Sequence, residues 1–415
     1  EAGFEPSDNA CRVGFLELIA RRVYMDLSRA PEMFGHDFGF GYDLDALKAG
    51  GDISAAAPTL PRGSLRDRLR AGRILKRVDR RLRTLMNTCD RQLRQQEFPQ
   101  MESWAAQERV IDLSSLPGEH LVARWRERER SVMDDFGGKS LLPGMIGGLA
   151  LADLQAFLAE HFWDEDPGET ARELSAGGAL TSTVAADQEL YEVGANQRTV
   201  QAWIAAHGHR AAGEFDLAAP RWRERPEEVA ARARQLAGGG GESPLARHER
   251  QARKIEQRAH ALRSRLSQRD AATFDDLLDR ARRYLAFRED AKDILMRGYE
   301  TLRDLAREAG RRTGLGDDIF LLTREEMLAG LARPLPSADA SLRQGIDTRR
   351  RRRRAQTALR LAQVIDAAAV DHLGESSVDA AAQRWEGFGV SGGGGQAEGP
   401  VRVVRRIEDA DARNL

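Results

Sequence analysis

Arg288 and Lys292 stand four residues apart on a stretch whose apolar positions recur at helical spacing. Phe274, Leu278, Ala281, Leu285, Leu295, Tyr299, Leu302, Ala306 and Ala309 form the apolar part of that stripe, and the two cations occupy positions within it. This places them on the side that the neighbouring leucines bury. Desolvating two cations costs several kcal/mol unless anions answer them. A bound phosphate or carboxylate would serve, with the planar arginine fork suited to either. A Glu or Asp from a neighbouring helix would serve equally well with nothing bound. A second concentration of polar groups lies at 208–226, GHRAAGEFDLAAPRWRERP, where His209, Arg210, Glu214, Asp216 and Arg221 crowd a short, weakly periodic segment. These residues suit either a substrate pocket or an internal ion network that ties a loop to the helices. His209 has the chemistry of a general base or nucleophile, but no partner order supports that role.

The elements that must position these groups are mostly helical. Val13 to Leu27 is rich in β-branched and apolar residues and predicts strand, with a hairpin turn near Ala20–Arg22. Ser64 is a candidate N-cap for a long helix whose apolar stripe runs Ala71, Leu75, Val78, Leu82, Leu85, Cys89, Leu93, which puts Cys89 in the core. Helices are expected from Pro99 to about Val110 and from Gly118 to Asp135. Gly137 and Gly138 are expected to break the chain before a buried helix at Leu151 to Phe162. Thr181 to Thr183 offer caps for a helix ending near Val193, and Gln197 to His207 predicts another. Beyond Pro226 helices resume, interrupted at Gly238–Gly241. Asp317 to Leu322 reads as a short strand, and Thr323 to Glu326 as a capping box. Six arginines, Arg349–Arg354, are expected to open a helix continuing over Ala355 to Val370. Such a run suits nucleic acid, but a solvated helix start partly paired to nearby acids is the simpler reading. Val401 to Arg406 alternates like a strand that opens a further domain, and the chain is expected to be truncated there.

Composition narrows the classes. In 415 residues, 64 basic side chains face 65 acidic ones, so overall charge argues for neither nucleic acid nor a membrane surface. Cys11 and Cys89 make no disulfide framework and no metal motif, which suits a reducing cytosol. The most apolar window, Leu141 to Phe162, carries Pro143, four glycines or polar breaks and Asp153, a load that predicts a core helix rather than a membrane span. H-E-x-x-H, C-x-x-C and G-x-x-x-x-G-K-[ST] are missing, and no G-x-G-x-x-G stands before an expected helix.

Taken together, GHRAAGEFDLAAPRWRERP, AFREDAKD around Arg288 and Lys292, GDDIFLLTREEM, SGGGGQAEGPVRVVRRIEDA and the early DNACRVGFLELIARRVYMDLSRAPEMF resemble, in this order, the phosphoenolpyruvate-utilising dikinases. The nearest branch is that of rifampicin phosphotransferase-like and phosphoenolpyruvate synthase-like enzymes. The resemblance implies a mainly α fold: a multi-helix acceptor domain, a short N-terminal β element and the beginning of a C-terminal β-containing swivelling domain. It divides the chain into 1–62 (the strand and loop portion of the acceptor domain), 63–386 (the helical acceptor-binding domain) and 387–415 (the start of the phosphohistidine domain). It implies an ATP-dependent phosphotransfer in which a phosphohistidine, carried on a domain not complete here, passes its phosphoryl group to a small-molecule acceptor. Arg288 and Lys292 match the family's R-E-x-x-K cations, and the GHR segment would shape the acceptor side through His209, Arg210, Glu214, Asp216 and Arg221. ATP and magnesium would be bound outside this chain, on an ATP-grasp domain of the same or a separate chain. No residue matches the family's phosphohistidine motif, so His209 is not given that role. Two rival readings remain open: a non-catalytic helical scaffold or regulatory subunit that keeps the fold, and nucleic-acid binding through Arg349–Arg354. A cytoplasmic location without membrane contact is expected.

Overall fold

The computed structural model describes residues 16–29 and 88–366, less 179, 239–241, 333–339, 360 and 363, together with 8, 14, 41–42, 58–59, 80, 84–86 and 370. Four short strands precede the helices: β1 (Leu16–Ile19), β2 (Arg22–Met25), β3 (Gly41–Tyr42) and β4 (Pro58–Thr59). β1 and β2 pair antiparallel with Ile19 opposite Arg22. Their turn is Ala20–Arg21, and both residues take positive φ, 43° and 70°. Two successive left-handed residues match the twist of the strands they join.

The helices follow in order: α1 (Phe98–Arg109), α2 (Gly118–Glu129), α3 (Gly138–His161), α4 (Pro167–Ser175), α5 (Ser182–Gly194), α6 (Val200–His207), α7 (Pro226–Gly238), α8 (Pro244–Arg263), α9 (Gln268–Thr313), α10 (Arg324–Ala332) and α11 (Ala340–Ala358). The described residues are thus mainly α. Threonine and serine side chains begin several of them: Thr181 accepts from the Val184 amide, Thr199 from Ala202 and Ser267 from Asp270. The Thr323–Glu326 capping box is formed in both directions, at 2.7 and 3.2 Å.

α9, 46 residues long, is the spine. The main core gathers around it, including Phe274, Tyr284, Phe287, Met296 and Leu305 from α9 itself and Leu154 and Leu158 from α3. A smaller cluster of Leu190, Val193, Trp203, Val229 and Ala233 joins α5, α6 and α7. Cys89 is 3% exposed, as its place on the apolar stripe requires, and burial followed by the Asp90 charge pushes its thiol up to about 11.

Three expectations are corrected. Gly137 and Gly138 do not break the chain, because a π-helical segment at Arg130–Gly137 carries α2 directly into α3. Helical glycine costs about 1 kcal/mol relative to alanine, but here close packing favours it. A Cβ on Gly147 would sit 3.2 Å from the Leu285 backbone nitrogen, and one on Gly144 3.3 Å from Arg288 Cδ. Asp317 to Leu322 is not a strand; Gly316–Leu321 forms a 3-10 turn after the α9 cap, where Gly314 (φ 69°) reverses the chain. The arginine run lies inside α11, which ends at Ala358 rather than continuing to Val370.

The helical run Gly118–His161 is long and apolar enough to cross a membrane, and 39% of its apolar window is buried. Ile146, Ala150, Leu154 and Leu158 face the core, whereas Leu141, Met145 and Leu149 point outward. The expectation of a wholly buried helix is therefore met on one face only. Contacts divide the chain into Glu1–Ala367 and Ala368–Leu415. The long helix expected after Ser64 before residue 80, the Val401–Arg406 strand and the 387–415 domain fall outside the described residues.

Candidate functional site

The loop between α6 and α7 is closed by its own backbone: the Trp222 amide donates to the Arg210 carbonyl at 2.9 Å and Arg223 to Gly208 at 3.1 Å. Gly208 has to be glycine, since a Cβ there would lie 2.4 Å from the Ile204 carbonyl oxygen and 2.9 Å from Arg223 Cβ. This closure aims His209, Arg210 and Glu214 at α9.

His209, 2% exposed, brings Nε2 to 3.0 Å from Asp293 Oδ1. Arg210 donates to Glu214 through Nε and Nη2, at 2.5 and 3.0 Å, and through Nη1 to the same Asp293 oxygen at 3.0 Å. Glu214 in turn lies 3.3 Å from Lys292 Nζ. Lys292 is also 3.0 Å from Glu289, which accepts from Arg288 at 3.0 Å and from the Thr183 hydroxyl at 3.3 Å. The two polar segments singled out from sequence thus meet in one network. Arg288 is joined to it through Glu289 alone.

Burial pulls the His209 imidazole below its ordinary value, against the hydrogen bond and charge of Asp293, so the ring is neutral at pH 7 and donates to the carboxylate. For Asp293, burial pushes the carboxyl up, but the His209 hydrogen bond and the charges of Arg297 and Arg210 hold it well below the usual carboxylate range. Glu289 resists burial in the same way through Lys292 and then Arg288, and stays ionised. His209 is therefore a buried structural donor rather than an accessible nucleophile.

The other expected residues are placed differently. Asp216 points outward, where Oδ2 accepts from Arg21 and Arg353 at 2.6 Å each. Arg221 is 1% exposed and donates Nη1 to the Glu214 carbonyl at 2.8 Å, a tie for the loop backbone. The Arg288 side chain is not buried: it is 56% exposed, against 28% for Lys292. Its heptad neighbours Ala281 and Leu295 are both buried, so the stem starts on the packed face, beside Gly144, and carries the guanidinium out to solvent. The arginine run is engaged by acids: Arg349 with Glu326, Arg350 with Asp318 and Asp347, Arg353 with Asp216.

Glu289 and Asp293 were missed from sequence. They are the acids that alternate with the cations on α9, and the signal was in the R-E-x-x-K-D spacing itself, which sets one acid beside each cation. Among the described residues no group of three or more His, Cys, Asp or Glu side chains is arranged to hold a metal ion.

A family model for the fourth domain of rifampicin phosphotransferase matches residues 165–289, which take in the whole GHR loop, Arg288 and Glu289 and stop three residues short of Lys292. This region resembles a domain of the phosphoenolpyruvate-utilising dikinase-like enzymes. A rifampicin phosphotransferase of Streptomyces sviceus is 32% identical over 141 residues, covering 31% of this chain. That match spans only 16% of the relative's length. The likeness is to part of a phosphotransferase.

Proposed function

We propose that this chain is the acceptor-binding portion of an ATP-dependent phosphotransferase of the dikinase type. It receives a phosphoryl group from a phosphohistidine on a swivelling domain that an ATP-grasp domain charges. The observation that carries this reading is the state of Arg288: it extends into solvent from the spine helix with one carboxylate partner, beside a Lys292 held in place by Glu214 and Glu289. Guanidinium forks match phosphate oxygens in pairs. Four cations (Arg288, Lys292, Arg210, Arg297) alternate with four carboxylates (Glu289, Glu214, Asp293, Glu102) in this network, so the charge left open to a ligand is local, at the exposed Arg288 guanidinium beside Lys292. Cations placed in this way stabilise a transferring phosphoryl group.

In the transfer, the acceptor hydroxyl oxygen bonds to phosphorus as the P–N bond of the phosphohistidine breaks. The hydroxyl proton ends on the departing imidazole nitrogen. Arg288 and Lys292 bind and neutralise the phosphoryl oxygens, and Glu289 sets the spacing of the two cations.

The test uses the complete enzyme. Arg288→Ala and Lys292→Ala should each abolish acceptor phosphorylation while ATP-dependent formation of phosphohistidine continues at the wild-type rate. Acceptor turnover that survives both substitutions sinks the assignment.

A further inference from the structure

α5, α6, α7 and the GHR loop enclose a cavity of about 290 Å³. Its apolar walls include the indoles of Trp203 and Trp222 with Leu190 and Val229. The Trp203 nitrogen is committed to the Ala186 carbonyl at 2.9 Å, so that ring presents only its apolar surface. Among the polar groups at the cavity, His207 is bound to Glu189 at 3.0 Å and Arg232 lies over the Trp222 ring, 5.6 Å from its centre. Arg210 and Glu214 are bound to one another and to α9, and Thr183 donates to Glu289. Asp187 is half-buried, lines the same cavity, and makes no hydrogen bond or ion pair among the described residues. Burial pushes its carboxyl up, against the more distant charges of Arg232 and Arg210. A half-buried acid without a donor, facing aromatic walls, lacks a partner that the protein does not supply.

The cavity also shares side chains with the cationic network. Glu214 lines it and reaches Lys292, and Thr183 lines it and reaches Glu289. A molecule seated there therefore lies beside the residues that hold the phosphoryl-binding cations, with Asp187 one helical turn from Thr183. The volume sits at the lower end of the roughly 300–1,000 Å³ typical of ligand pockets, which suits one ring or two fused rings. A cationic amine answers the carboxylate, and an aromatic ring suits the apolar walls.

We propose that this cavity seats the acceptor, and that the acceptor is a small hydroxyaryl amine. Its ring lies against Trp203 and Trp222, its ammonium group pairs with Asp187, and its hydroxyl is directed toward Lys292. The hydroxyl's role rests on the phosphotransfer reading above; the binding does not.

Tyramine and 4-ethylphenol, which share ring and hydroxyl but differ in the amine, separate the contributions when titrated into the full chain by calorimetry and tryptophan fluorescence. Tyramine should bind about tenfold or more tighter, the worth of one charge-assisted hydrogen bond. Asp187→Asn should erase that preference without changing the thermal midpoint by more than a few degrees, and Trp222→Leu should weaken both ligands alike. Arg288→Ala should leave tyramine binding within about twofold, because Arg288 does not line the cavity. Equal binding of the two probes, no binding of either, or a preference that survives Asp187→Asn overturns the inference. If the complete enzyme phosphorylates other acceptors while tyramine fails to bind, the cavity assignment falls alone. If tyramine binds as described and no phosphoryl transfer to any acceptor occurs, the phosphotransfer reading falls and the cavity loses its role as the acceptor's seat.

Discussion

Two arginines on the spine helix, Arg288 and Arg303, lie four turns apart in opposite circumstances. Arg303 is 3% exposed, holds Glu224 through Nε and Nη2 at 2.6 and 2.8 Å, and gives Nη1 to the Leu217 carbonyl. Every face of that guanidinium is committed to the loop it fixes. Arg288 is more than half exposed and has a single partner, its own chain neighbour. The same residue type on the same helix is a structural bolt in one place and an available charge in the other. What separates them is whether the fold has already spent the donors.

The largest effect expected from this contrast is kinetic. Arg288→Ala should lower acceptor phosphorylation about 10²–10³-fold or more, as removal of a transition-state donor does, with the urea midpoint nearly unchanged. A large loss of stability with unaltered turnover would reverse the comparison. Arg303→Ala should do the opposite. Loss of the fork on half-buried Glu224, which keeps only Arg307 and the Arg221 amide, should cost about 1.5–3 kcal/mol in equilibrium unfolding, and a cost near zero would show that the bidentate pair is dispensable.

His209 sharpens the comparison through pH. Its folded value is depressed below the unfolded one, so the unfolded chain takes up a proton first as pH falls. The stability it contributes is full above about pH 6.5 and declines on acidification, by at most about 1.4 kcal/mol per pH unit. His209→Gln should flatten the unfolding profile between pH 7 and 5; a profile that keeps its slope removes His209 as the cause. The smallest effect is at Cys89. In a Cys11→Ser background its buried thiol, pushed up to about 11, should stay unreactive to a disulfide reagent at pH 8 until urea unfolds the chain. Prompt labelling of the folded chain would contradict its burial.

Much of the fold was legible because it follows local rules. The hairpin turn at Ala20–Arg21, the Thr181 cap, the Thr323–Glu326 box and the long spine helix are written in a few neighbouring residues each. The failures come from distant partners. Gly144 and Gly147 read as breaks until α9 packs against them, and Asp317–Leu322 reads as strand until the turn after Gly314 constrains it. At the candidate site, the sequence set the right residue types side by side but not their directions. Glu214 reaches Lys292, whereas Asp216, two residues on, points away. Arg288 keeps its place on the stripe, but its long side chain carries the charge out to solvent. Asp187 had no sequence signal, because its interest lies only in a cavity built by three helices and a loop.

Asp216 has a further consequence. One of its carboxylate oxygens holds Arg21 at the tip of the β1–β2 hairpin and Arg353 of α11 together. It therefore works as a shared tether between early and late parts of the chain. Only Phe215 separates it from Glu214, the residue that steadies Lys292. Tension on either the hairpin or α11 is thus delivered, within two peptide units, to the position of Lys292.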